Sequence, residues 1–310
     1  MKERLQWIMG IMSLGLFLLM ASISLQAQQK AMFTQYMFNG LVVNPAYSSV
    51  DEALNITALS RHQWVGFKGA PNTQSASIHS PLKGSNTSVG LIFMRDQIGE
   101  VLSENGLMAT AAQRVELGNE TYLALGLSAG LGKYQGEYSL SGSTTAGSDP
   151  VFADQNSLRS SLGFGLMLFS QKFYAGISSP FFYNRDFGSV SNTPTANKPH
   201  YIMQGGYIAD MGRDLKFKPN VLIKYVDGSP VQIDLNANFL LKETLWLGAS
   251  LRSMDSIDFL AEVQLSPNLQ LGYSYDFTTS RLAGLQNGSH EIVLSFRIKN
   301  GVSSVPRCYF

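Results

Sequence analysis

Ser289, His290 and Glu291 stand in a row and supply the three side-chain types of a nucleophile, a base and an orienting acid. Their spacing works against them. If 289–299 is a strand, successive side chains point to opposite faces, and His290 is parted from both neighbours. An outer-membrane hydrolase would need such groups brought together from adjacent strands. The other histidines, His62, His79 and His200, have no metal-ligand spacing with His290 or with one another. Asp149 and Asp154 offer two carboxylates without the rest of a calcium loop. The single cysteine, Cys308, removes both an internal disulfide framework and a cysteine-built zinc site. The expectation is a protein with no catalytic residue, no cofactor and no metal, acting through contacts. The contact candidates are Phe33, Tyr36 and Phe38 near the N-terminus and Trp64 and Phe67 farther on. Trp64 reads equally as an exposed anchor for a partner or as packing of a loop onto its own scaffold.

The elements that hold these residues follow from composition and periodicity. Of 310 residues, 45% are hydrophobic and 15% charged, the latter well below the roughly 25% common in soluble domains. A disordered or acidic chain is thereby excluded, and a net charge of +1 gives no field that would recruit nucleic acid. Lys2 and Arg4, an apolar run over 8–20 and small residues up to Ala27 have the form of a secretory leader. Residues 1–27 are therefore expected to be removed, and the absence of a cysteine after Ala27 argues against a lipoprotein. No later run approaches about 18 apolar residues, which excludes a helical membrane protein. A periplasmic protein, a secreted one or an outer-membrane barrel remains.

Period two decides among them. Leu123, Leu125, Leu127, Ala129 and Leu131 alternate with Ala124, Gly126, Ser128, Gly130 and Gly132, and Ile233, Leu235, Ala237 and Phe239 alternate with Gln232, Asp234, Asn236 and Asn238. Glycine, serine and amides on the wet face disfavour a soluble two-sheet sandwich, whose solvated face would carry Lys and Glu. The pattern predicts an all-β fold, a transmembrane outer-membrane β-barrel of about 14 antiparallel strands. They are placed near 53–62, 72–81, 87–95, 105–116, 121–134, 158–170, 172–180, 200–210, 215–226, 230–241, 244–252, 257–266, 269–277 and 289–299. Short links alternate with longer ones at 63–71, 96–104, 135–157, 181–198 and 278–288, as in barrels with brief periplasmic turns and longer outer loops. An even strand number puts both termini in the periplasm.

The predicted organisation is a leader at 1–27, an N-terminal segment at or in the barrel mouth at 28–50, the barrel at 51–299 and a periplasmic tail at 300–310. Segment 30–50 is too apolar for a tail, and Phe33, Tyr36, Met37 and Phe38 are expected to pack in or under the mouth. The inward parity carries Asp234, Asp258, Glu262, Asp276, Glu291, Arg252 and Arg297. These could line an ion-selective pore. Pairing across a filled lumen is the favoured reading, because a barrel this wide needs filling. Outward aromatics Tyr275, Phe277, Phe239, Phe259 and Phe296 suit an interfacial girdle. Either Phe296 or Phe310 would serve as a terminal assembly signal.

QYMFN (35–39), NPAY (44–47), RHQWVGF (61–67), GAPNTQ (69–74), RDQIG (95–99), DPVFA (149–153) and NGSHEI (287–292) occur in order along the chain. As a set they resemble the PorP/SprF family of type IX secretion membrane proteins, and Gly40 stands where that family commonly has proline. The resemblance implies a non-enzymatic outer-membrane component of the export machinery. Its implied partners are periplasmic and outer-membrane secretion components, an exported adhesin or gliding protein, and outer-membrane lipid. The alternative is a channel similar to fatty-acid-transport barrels, for small or hydrophobic solutes.

Overall fold

The computed structural model describes residues 32–141, 153–187 and 198–299. The expected leader, the 300–310 tail with Cys308 and Phe310, and Asp149 lie outside them.

Strands run in sequence order around one closed antiparallel barrel. They are β1 (Ala53–His62), β2 (Pro71–Pro81), β3 (Thr87–Ile98), β4 (Leu102–Gly118), β5 (Thr121–Gly136), β6 (Gln155–Phe169) and β7 (Phe173–Phe187). The second half comprises β8 (His200–Tyr207, resuming as Ala209–Asp210), β9 (Leu215–Val226), β10 (Gln232–Leu241), β11 (Leu245–Arg252), β12 (Ser256–Ser266), β13 (Leu269–Thr278) and β14 (Ser289–Lys299). Closure comes from β1 pairing with β14, from Ala53↔Lys299 to His62↔His290. Among the described strands no edge is then left facing lipid, where its backbone groups would lack partners.

Alternation sets the two faces. Leu125, Leu127, Phe259 and Phe277 point outward and more than half of each is exposed, whereas Asp234, Asp258, Ser274 and Glu291 point inward and are fully buried. The turns at Asn119–Glu120 and Lys242–Glu243 carry positive φ at both residues (50° and 55°; 49° and 54°). Such two-residue turns match the strand twist and give the tight hairpins at the end that also holds both chain termini of the barrel.

The strands differ from expectation where they rise past the apolar band. The predicted 96–104 loop is mostly ladder, since β3 and β4 pair up to Ile98↔Leu102. Likewise β7 does not stop near 180 but continues to Phe187, paired with β6 after an irregularity opposite 162–164. Inside the ring lie a 3-10 turn (Tyr36–Phe38), a short helix α1 (Gly40–Val43) and a second 3-10 turn (Pro45–Ser49).

Candidate functional site

The candidate site is the lumen and the segment it contains. Residues 33–50 run from the level of Arg61 and Glu291, near the far ends of β1 and β14, to Asp51 at the end with the tight hairpins. Three apolar clusters join the segment to opposite walls. Phe33, Leu41 and Val42 meet Leu59, Ile92, Met108 and Val293. Tyr36, Met37 and Val43 meet Ile202, Leu222 and Leu260. Ala46 and Val50 meet Ala124, Met167, Phe169 and Tyr174.

The upper end is held by charge. Glu291 accepts from the backbone N–H groups of Thr34 (3.0 Å) and Gln35 (2.8 Å). Arg61 pairs with Asp276 at 2.6 Å and Glu291 at 3.1 Å, and also donates to the Thr34 hydroxyl at 3.1 Å. The same hydroxyl donates to Asp276 at 2.8 Å. Arg252 lies beside Asp234 at 3.0 Å and Asp276 at 3.8 Å. Charge-assisted bonds of this kind are the strong ones, and the buried carboxylates depend on them.

The middle is held by shape. Asn44 caps the second 3-10 turn, its side chain accepting from Ala46 N–H at 2.9 Å and donating to the Leu166 carbonyl at 3.2 Å. Gly126, Gly165 and Gly176 of three neighbouring strands form the wall here. A Cβ on Gly126 would fall on the backbone of Pro45 and Ala46, and one on Gly165 would fall on the Asn44 amide. Glycine alone lets the backbone come this close. Near the hairpin end, Phe38 is edge-on to Trp246 at 6.0 Å, and Lys218 lies over both rings. Asp51 is bonded by Arg297 at 2.6 and 2.7 Å and by Asn55 at 3.0 Å. Burial opposes its ionisation, yet the Arg297 and Asn55 hydrogen bonds prevail and hold the Asp51 carboxyl below its usual value.

The candidates from sequence fall into separate places. Phe33 and Tyr36 are buried in the lumen, where Tyr36 accepts a hydrogen bond from Asn236 at 3.0 Å. Phe38 is half-buried. Trp64 and Phe67 sit on the β1–β2 connection, Trp64 half-buried with φ of 47° and Phe67 exposed. The inward charges Asp234, Asp258, Glu262, Asp276, Glu291 and Arg252 are all buried. Ser289 and Glu291 face the lumen, while His290 faces outward against Tyr273 (2.7 Å to its hydroxyl) and the Tyr275 ring. The serine–histidine–acid row is therefore not assembled. Asp154 accepts from Ser139 N–H and Oγ, both at 2.9 Å, and so closes its own loop.

Two neighbourhoods escape sequence reasoning. His62 and His290 are register partners on the outer face, but two donors fall short of a zinc site's usual three or four protein ligands. More extensive is the stitching of the β1–β2 connection to the β13–β14 connection. Val65 N–H donates to Gly288 O (2.8 Å), Asn287 N–H to Val65 O (2.7 Å) and Trp64 N–H to Ser289 Oγ (3.1 Å). The signal for this was closure itself, because first and last strands must pair and their connections then become neighbours.

Comparison with known proteins gives the lineage. A family model described as type IX secretion system membrane protein PorP/SprF matches residues 25–296. The chain belongs to that family. Members are membrane components of type IX secretion, and the barrel agrees with an outer-membrane location. A comparison with curated proteins gives no match. Among solved structures, a TodX monoaromatic hydrocarbon channel mutant lacking S2 and S3 is similar at a TM-score of 0.51 and 10% identity, over 84% of this chain and 94% of that one. Omp33 of Acinetobacter baumannii gives 0.47 and 10%, over 81% and 100%. A Pseudomonas aeruginosa FadL homologue gives 0.41 and 11%, over 84% and 92%. At such identities the likeness is one of fold.

Proposed function

We propose that this PorP/SprF protein is a closed, non-enzymatic barrel that serves type IX secretion through protein contacts at its two rims, in export or in surface attachment of an exported adhesin or gliding protein. The carrying observation is the filled lumen: residues 33–50 touch opposite walls and are tied to Arg61, Asp276 and Glu291. A barrel whose interior is occupied by its own chain has its rims left for work. The contrast between tight hairpins and longer connections supports an orientation with both termini in the periplasm. The stitched platform carrying Trp64, Val65 and Phe67 then faces the exterior, and Phe38 and the hairpins face periplasmic machinery. Exposed aromatic and aliphatic side chains on a braced loop suit an interface anchor.

The test is co-purification from secreting cells of the wild-type barrel and the Trp64→Ala/Phe67→Ala variant, with bilayer conductance of the purified wild type alongside. Secretion components or an exported surface protein are expected with the wild type, and the exterior partner is lost in the variant. A wild-type barrel that purifies alone and conducts steadily would instead make it a channel.

A further inference from the structure

The outward faces of the strands are nearly free of charge. Among the described residues the charged side chains there are Arg95 on β3, Lys133 on β5 and Arg185 on β7, and all three are cations. Their faces follow from parity and register. Arg95 continues the exposed series Val89, Leu91 and Phe93, and Lys133 continues Leu125, Leu127 and Leu131. Arg185 lies between exposed Tyr183 and Phe187. The acids of β3 and β4, Asp96, Glu104 and Glu116, take the opposite parity, with Asp96 accepting from Thr73 and Glu104 paired to Arg159.

These cations form one strip. Gln74, Arg95, Asn105 and Lys133 are successive register partners across β2, β3, β4 and β5. Arg95 and Lys133 are thus two strands, about 10 Å, apart. Arg185 opposes Ser160, which opposes Leu131, one outward step below Lys133. All three are exposed and none is ion-paired among the described residues; Arg95 donates only to Gln97 at 3.3 Å, and Arg185 lies over the Phe187 ring at 5.3 Å. Arg95 and Lys133 are the first charged positions past an apolar run, the level at which hydrocarbon gives way to headgroups and long cationic side chains reach up.

We infer that this strip binds the anionic headgroup of a phosphorylated glycolipid of the outer leaflet, whose acyl chains cover Leu91, Phe93, Leu107 and Leu131. Cations and amide donors with no acid beside them on the outward strand faces complement phosphate, the exposed acids Glu100 and Glu137 standing beyond them on the connections, and the strip is continuous with the lipid-covered wall. An acidic protein would have to descend to the bilayer surface to reach it. The leaflet assignment rests on the orientation proposed above.

The test uses the full-length barrel in phosphatidylethanolamine nanodiscs, titrated with diphosphorylated lipid A, with its dephosphorylated form and with phosphatidylglycerol, and read by native mass spectrometry. Diphosphorylated lipid A is expected to be retained preferentially. Affinity should fall about fivefold for each of Arg95→Gln, Lys133→Gln and Arg185→Gln and on the order of a hundredfold for the triple variant. Arg95→Lys/Arg185→Lys should keep it. Heat-dependent gel mobility verifies folding, and the single variants carry the test if the triple variant does not fold. Wild-type retention by the triple variant overturns the site. Equal retention of phosphatidylglycerol or of dephosphorylated lipid A overturns the phosphorylated glycolipid as the occupant. Because Trp64 and Phe67 are untouched, failure here is distinguishable from failure of the rim-contact reading.

Discussion

Replacement of Arg61 by methionine should release the N-terminal segment from the lumen. The guanidinium contacts Asp276 at 2.6 Å, Glu291 at 3.1 Å and the Thr34 hydroxyl at 3.1 Å, with all four residues buried. Methionine keeps most of the volume but takes from buried Glu291 its ion-pair partner and leaves buried Asp276 with Arg252, 3.8 Å away. Removing one member of a buried, hydrogen-bonded ion pair costs about 3–5 kcal/mol, or on the order of a hundred- to several-thousandfold in the equilibrium between docked and released segment. The assay is thiol labelling of Met37→Cys in a Cys308→Ser background, which has no other cysteine. Met37 is buried, so labelling reports release even if the barrel itself stays folded. Adding Asp276→Asn and Glu291→Gln removes the stranded charges while keeping carbonyl oxygens that accept from Thr34 and Gln35, and should slow labelling most of the way back. Unchanged labelling in Arg61→Met, or a neutralised triple variant that labels as fast as the single one, would refute the latch.

Gly126→Val with Gly165→Val should displace Asn44, Pro45 and Ala46, since neither wall nor segment backbone can yield; overpacking of about 1–3 kcal/mol per site is expected, read as new conductance steps in planar bilayers. Asp51 gives a pH dependence whose sign follows from its lowered folded value. Its stabilisation is present above the unfolded carboxylate value, about 3.9, and is lost as pH falls through the lower folded one. Asp51→Asn should flatten that acid limb in urea unfolding of the lipid-embedded barrel. Ser289→Ala and His290→Ala should leave any lipid hydrolysis at background in a lipase assay, because the two side chains point to opposite faces.

Fold was legible because lipid imposes alternation on every strand. The boundaries 53–62, 215–226 and 289–299 coincide with β1, β9 and β14. Expectation failed where lipid stops. Arg95, Asp96 and Gln97 are polar on both faces, so 96–104 reads as loop although it lies largely in the β3–β4 ladder. The aromatic end of β7 was hidden in the same way, behind Pro180 and a register irregularity. Lumen contacts were less legible still. Glu291 meets Thr34 across 257 residues of sequence, a distance over which no local pattern carries information. The inward position of Asp276 and Glu291 could be read from parity; their partner could not.

The inward face had the composition of a wetted surface, yet much of it contacts protein. Glycine, serine and amide side chains on a strand satisfy two different physical demands, water in an open pore or close backbone approach in a filled one, and composition alone does not separate them. Geometry separates them here. Water can take over the hydrogen bonds around Thr34 and Gln35, but it makes no demand that a wall residue lack a Cβ. At Gly126 and Gly165 the missing Cβ is the space occupied by Asn44, Pro45 and Ala46. Asn44 is itself fully buried, with its amide shared between its own turn and the β6 carbonyl of Leu166. These glycines fit a wall shaped to receive the NPAY segment, and the polar inward parity of β5 and β6 is the imprint of that segment.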